Sequence, residues 1–148
     1  MRVIIPIAFI VLLAIILWVG YGMDAAPVPF SKLVNEPEQY SGRTVTVEAI
    51  YVNGWETSLL TEYVAYIGNG SNRELKPVGD SIWLEGPIPQ EIQDRLFKIT
   101  SPAGESAYYG KFKVTGLFET EGKYGAMDQF KYRLTVKNVE LLEWTPPE

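Results

Sequence analysis

Residues Thr44–Val52 read TVTVEAIYV. Val45, Val47, Ala49 and Tyr51 fall on one side of an extended chain, and Thr44, Thr46 and Glu48 on the other. That period of two marks a half-buried strand. Asn53-Gly54 follows as a turn signal. The same alternation returns twice downstream. Gly110–Thr120 puts Phe112, Val114, Gly116 and Phe118 on one face. Phe130–Trp144 does so with Phe130, Tyr132, Leu134 and Val136, until Val139 and Leu141 take over. The change of phase near Asn138 predicts a bulge. Two further strands are expected, one within Thr57–Ile67 and a short one at Ser81–Glu85. Between them, Gly68-Asn69-Gly70-Ser71-Asn72 and Lys76-Pro77-Val78-Gly79-Asp80 have the composition of a loop.

Helical signals are sparse. Phe30–Val34 predicts one or two turns, with Ser31 as a cap and an end before Pro37. A second helix is expected after Pro87 and Pro89: Glu91 and Asp94 come early, Lys98 late, and Ile92, Leu96 and Ile99 recur at helical spacing. Ser101-Pro102-Ala103-Gly104 closes it. The order is three strands, a helix, two strands. The expected fold class is therefore all-β with one helix: a five-stranded Greek-key barrel of the OB type, spanning residues 30–144 and leaving 145–148 as a tail. Ala49 and Gly116 at mid-strand suit a tightly coiled barrel. An α+β sandwich shares this element order and is the alternative. No internal repeat is present.

Ahead of the barrel, Val3–Met23 (VIIPIAFIVLLAIILWVGYGM) holds 21 positions without a charge. A helix of that length covers about 31 Å, close to the thickness of a bilayer's hydrocarbon core. Arg2 precedes the run and Asp24 follows it, which orients the N-terminus to the cytoplasm and the barrel to the extracytoplasmic side. Trp18 and Tyr21 fall near the exit end. The expectation is a single-pass transmembrane anchor over 1–23 and a short linker over 24–29. A cleaved signal peptide is the alternative, against which the apolar run is long.

The composition removes several chemistries. The 148 residues include no Cys and no His, so the usual zinc sites, His- or Cys-ligated haem, iron–sulfur clusters and a Ser-His-Asp triad are excluded. Carboxylates are plentiful, but none are paired at a spacing that forces acid–base or metal chemistry. Asp80 and Glu85 flank the third strand, and Glu119 and Glu121 flank a turn; all four read as solvated ends. No catalytic residue, metal or cofactor is expected. Asn69-Gly70-Ser71 matches the short glycosylation sequon.

Two groups of side chains stand out as candidate binding residues. Trp55, at the junction of the first two strands, offers a flat surface for stacking, with Glu56 and Ser58 to supply hydrogen bonds. Trp83 lies on the third strand, near Tyr63 and Tyr66 in sequence, where such barrels stack ligands. The second group is basic. Arg2 apart, 12 basic residues face 18 acidic ones. Within 111–137, however, Lys111, Lys113, Lys123, Lys131, Arg133 and Lys137 outnumber three acids. Lys111, Lys113, Lys131, Arg133 and Lys137 all oppose the apolar alternation, so they are expected to project outward as a local basic face. Such a face suits an acidic partner or anionic lipid headgroups; as a solvated strand face it would also discourage edge pairing.

Leu33–Leu60, with Tyr40-x-Gly42, its alternating valines and Gly54-x-Glu56-x-Ser58-x-Leu60, resembles the bacterial tRNA_anti-like OB-fold family. Gly110-Lys-Phe-Lys-Val-Thr-Gly116-x-Phe118 and Gly122-Lys-Tyr-Gly125 fit the same pattern, while Ala49 stands where such proteins often carry Gly. The resemblance covers about residues 30–142 and implies a small exported or membrane-anchored domain. The architecture is also similar to the haem chaperone of cytochrome c maturation, whose haem-attaching His has no counterpart here. The expected function is that of a non-enzymatic accessory or scaffold subunit of a larger membrane complex on the extracytoplasmic side, with a protein partner. The alternative is an extracytoplasmic module for an oligosaccharide, oligonucleotide or small anion. Net acidity argues against nucleic acid.

Overall fold

A computed structural model describes residues 26–148. The expected transmembrane anchor at 1–23 lies outside them; among the described residues no helix is long and apolar enough to cross a membrane. The elements are α1 (Phe30–Asn35), β1 (Arg43–Gly54), β2 (Thr57–Ile67), β3 (Glu74–Glu85), α2 (Gln90–Gln93), β4 (Phe97–Thr100), β5 (Ser106–Glu119) and β6 (Arg133–Leu142). The domain is mostly β, as the alternation predicts. Its one sheet has six strands rather than five, in the order β1-β2-β3-β6-β5-β4.

A further pairing, β1 with β5, joins the first strand back to the fifth and closes five of the six into a barrel. That seam is long: Arg43 faces Phe118 at one end and Asn53 faces Tyr108 at the other. β3 and β6 run parallel over Trp83–Glu85, and the other pairings are antiparallel. The inner faces match the sequence periods. Val45, Val47, Ala49 and Tyr51 of β1 meet Phe112, Val114 and Phe118 of β5, with Leu60, Ile82, Leu84 and Leu134 from the other strands. Tyr51 stacks on Phe112 at 4.5 Å, and its hydroxyl lies 3.5 Å from that of Ser58. α1 packs against β1 and β2 and lays Phe30 and Leu33 into the core. Pro29 holds the cap position and Ser31 lies inside the helix, not at its start.

The predicted bulge is present. Thr115 faces Asn138 and Gly116 faces Val136, so Lys137 is the extra residue. At this point the backbones press together: a Cβ on Gly116 would run into the carbonyl of Thr135. Only glycine fits such an approach.

Three expectations need correction. The helix expected from Glu91 onward lasts a single turn, and Phe97–Thr100 pairs with Ser106–Tyr109 as β4, the sixth strand. Gln90–Gln93 buries none of its residues, so no packed apolar face carries the helix further. Phe97, Ile99 and Thr100 are strand formers that gain a partner. The third strand is twelve residues long, not five, because Glu74–Asp80 continues it. Pro77 is tolerated because this half of β3 has β2 on one side and no strand on the other. Finally, the turn falls at Trp55-Glu56 rather than Asn53-Gly54, with Gly54 facing Thr57. Glu56 adopts φ 50°, and this register keeps Tyr51 paired with Leu60.

The outward half of β2–β3 sets up the functional face. Between Thr61/Ser81 and Tyr63/Val78 the register slips. Thr61, fully buried, aims its hydroxyl at the carbonyls of Tyr63, Val78 and Asp80, at 3.2, 3.4 and 3.4 Å. Beyond this irregularity the two strands form a ribbon lying over the outside of the barrel. Val64, Tyr66 and Leu75 of the ribbon cover Ile50, Val52 and Tyr109, making a second apolar cluster with Leu59.

Candidate functional site

The second cluster floors a cleft of about 500 Å³ between the ribbon, the β4–β5 hairpin and the β1–β2 turn. Val52, Leu59, Leu75 and Tyr109 are the buried floor, and Ile99, Ala107 and Phe130 extend it. Register explains the grouping: Tyr109 faces Val52, Val52 faces Leu59, and Leu59 faces Trp83, so one row of outward side chains crosses four strands. The Tyr109 hydroxyl donates to the carbonyl of Leu75 at 2.8 Å and ties the ribbon to β5. Burial, then the nearby Glu74 and Tyr66, push the Tyr109 phenol above its usual pKa.

Trp55 lines the same cleft and is 86% exposed. It stands at the tip of the two-residue turn, which Thr57 steadies by donating its hydroxyl to the Trp55 carbonyl at 3.1 Å. An indole this exposed lies far from any packed role. The rim is polar: Thr57, Thr100, Ser101, Ser106 and Gln129 all line the cleft. The Thr100 and Ser106 hydroxyls meet at 3.0 Å, and each retains capacity for another bond. Charges at the rim balance. Lys76 pairs with Glu74 at 2.7 Å, Arg73 lies 4.7 Å over the Tyr66 ring, and Glu105 is the second acid.

The other residues singled out from the sequence separate. Glu56 sits beside Trp55, exposed on the turn. Ser58 points into the barrel, where it donates to the carbonyl of Leu84 at 3.0 Å; it does not line the cleft. Trp83 faces outward but is half-buried, tilted against Phe130 at 5.3 Å and closely apposed to Gly125, with its indole N–H donating to Glu85 at 2.6 Å. It braces Phe130 at the edge of the cleft rather than lining it.

Lys111, Lys113 and Arg133 lie on the outward side of β5 and β6, where acidic and apolar side chains interleave with them. Lys113 is flanked in register by Glu48 on β1 and Glu140 on β6, and Lys111 by Ile50 and Leu142. Arg133 donates from Nε and Nη2 to one oxygen of Glu119, at 2.9 and 2.7 Å, and lies 4.7 Å over the Tyr124 ring. That hydrogen bonding raises its pKa further. Lys137, on the bulge, donates to the Thr44 hydroxyl at 2.7 Å. Lys131 is exposed ahead of β6, near Asp80. Among the described residues no three acidic side chains converge where a cation would sit.

Tyr109, Leu75, Arg73 and Phe130 escaped the sequence reading of the site. The signal for the cleft lay in Ala49–Val52: AIYV is apolar on both faces, and such a run marks a strand covered on both sides. No protein-family model, curated protein or solved structure matches the chain.

Proposed function

We propose that the chain is a non-enzymatic OB-fold binding module, held at the outer face of a membrane by residues 3–23, which takes an uncharged polyhydroxylated ligand in the cleft under Trp55. The strand order β1-β2-β3-β6-β5 with its β1–β5 seam and parallel β3–β6 pair supports the OB assignment, with β4 as an addition to it. It also accords with the resemblance to the tRNA_anti-like family. The observation that carries the reading is the exposed Trp55 over an apolar floor with a hydroxyl- and amide-bearing rim. A polyanion needs basic density. Here Arg73 and Lys76 are balanced by Glu74 and Glu105, so the ligand class this cleft favours is a short oligosaccharide.

The role of accessory subunit rests on a protein partner instead. The basic face that would dock an acidic partner is interleaved with Glu48 and Glu140 and locked in part by Glu119, which weakens that reading.

The test is titration of the full-length protein in detergent with chitotetraose, cellotetraose and single-stranded oligothymidine, followed by tryptophan fluorescence. Trp55→Ala is expected to weaken oligosaccharide binding by at least tenfold, about 1.4 kcal/mol, without moving the melting temperature. Binding of the oligothymidine alone would overturn the ligand class. Binding of none of them, with stoichiometric companions on a native gel of solubilised membranes, would favour the accessory subunit.

A further inference from the structure

The face of the β2–β3 ribbon turned away from the cleft carries an uncovered apolar strip beside the ion pair of Lys76 and Glu74, which face Ala65 and Ile67 across the strands. Tyr63 faces Val78 across the two strands, and Ala65 and Ile67 follow Tyr63 at alternate positions on the same side. Tyr63, Ile67 and Val78 are 62%, 53% and 41% exposed. The ribbon's other face is committed to the second cluster. A two-stranded ribbon in water ordinarily turns polar residues outward. Here the charges on this face, Lys76 and Glu74, neutralise each other, and three large apolar side chains exposed together give this side the composition of a contact surface.

Its position indicates what covers it. Tyr63 borders a groove of about 560 Å³ whose other walls include Pro27, Val28, Pro29 and Trp144. The Val28 N–H donates to the carbonyl of Thr46 at 2.7 Å, which pins the entering chain to β1 beside that groove. The uncharged run Val3–Met23 ends only four positions before Pro27. Extended chain covers at most about 3.6 Å per residue. The groove thus lies within about 15 Å of the point where that run ends.

We infer that the outer face of the β2–β3 ribbon, led by Tyr63 and Ile67, rests in the headgroup layer of the bilayer. This rests on the reading of residues 3–23 as a membrane anchor. The chemistry suits the interface: a tyrosine ring with its hydroxyl towards water, a tryptophan nearby, and aliphatic side chains between them. It is apolar chemistry. Lys111 lines the groove, but so do Glu48 and Glu62, so attraction to anionic headgroups contributes nothing net. The contact therefore does not depend on anionic lipid.

The chain contains no cysteine, which makes single-site labelling of the full-length protein direct. Tyr63→Cys, Ile67→Cys, Leu12→Cys and Ser41→Cys would each carry an environment-sensitive fluorophore in phosphatidylcholine vesicles with brominated acyl chains. Ser41 is exposed and its hydroxyl lies 2.9 Å from that of Thr120, just beyond the C-terminal end of β5 and nine residues past Lys111. Labels at 63, 67 and 12 are expected to lose fluorescence to the brominated lipid. The label at 41 is expected to keep it, and phosphatidylglycerol should change none of the four. Quenching at 12 without quenching at 63 and 67 would overturn the docking face and leave the anchor standing. No quenching at 12 would remove the anchor and this inference together. Disulfide cross-linking of unlabelled Tyr63→Cys chains, with labels at 63 unquenched, would make a second copy the occupant instead.

Discussion

At the scale of single residues, Tyr109 shows how one polar atom is accommodated inside an apolar cluster. Its ring fills the cleft floor while its hydroxyl donates its proton to the Leu75 carbonyl. Tyr109→Phe leaves that carbonyl without its partner, and the expected loss is about 1–2 kcal/mol at neutral pH, read by urea denaturation. The variant should also change the alkaline limb. The phenol's pKa is raised in the folded protein, so its contribution is intact below about 10 and lost as pH climbs through the folded value. Tyr51, raised mainly by burial, adds a slope of the same sign. Stability of Tyr109→Phe should therefore fall less steeply above pH 10 than that of the parent, and equal slopes would contradict the assignment. Little of this was visible in the sequence. Trp55 was, because a tryptophan at a strand junction is conspicuous. Ser58 and Trp83 were also conspicuous, yet their partners, Leu84 and Phe130, lie 26 and 47 positions away. Local pattern carries no information about such contacts.

Among the elements, the β2–β3 ribbon matters most, and it was the part least legible beforehand. Pro77 and Gly79 mimic a loop in composition, and only the absence of a second neighbouring strand lets them remain in β3. The ribbon's direction depends on the slip in register at Thr61, whose buried hydroxyl serves carbonyls on both strands. Thr61→Val keeps the shape and removes the donor. The expected cost is about 1–3 kcal/mol, with faster hydrogen exchange at Val64, Tyr66 and Leu75 than in the rest of the barrel. Uniform exchange across all strands would show that the hydroxyl is not what sets the bend. By contrast, the first half of β1, β5 from Gly110 onward and β6 from Leu134 were legible down to the bulge, since a single buried face imposes a strict period of two. The run around Ile92 misled because apolar positions four and three apart also suit a turn followed by a short strand.

For the whole molecule, the decisive contact is the seam between β1 and β5. Gly116 lies on it, facing Val45 on one side and Val136 on the other. Gly116→Ala is expected to prevent closure, costing more than about 3 kcal/mol, because the obstruction is a backbone carbonyl that cannot swing aside. A melt within about 1 kcal/mol of the parent would show that the seam has slack. The hydroxyls of Thr46 and Thr115 meet across this seam at 2.8 Å, although 69 positions separate them along the chain. Pairings that distant are slow to form, and synthesis proceeds from the N-terminus. Until the second half of the polypeptide emerges, the long β1 edge and its valines have no mate. The half-made chain, rather than the finished protein, is the species most prone to aggregation and most dependent on a chaperone.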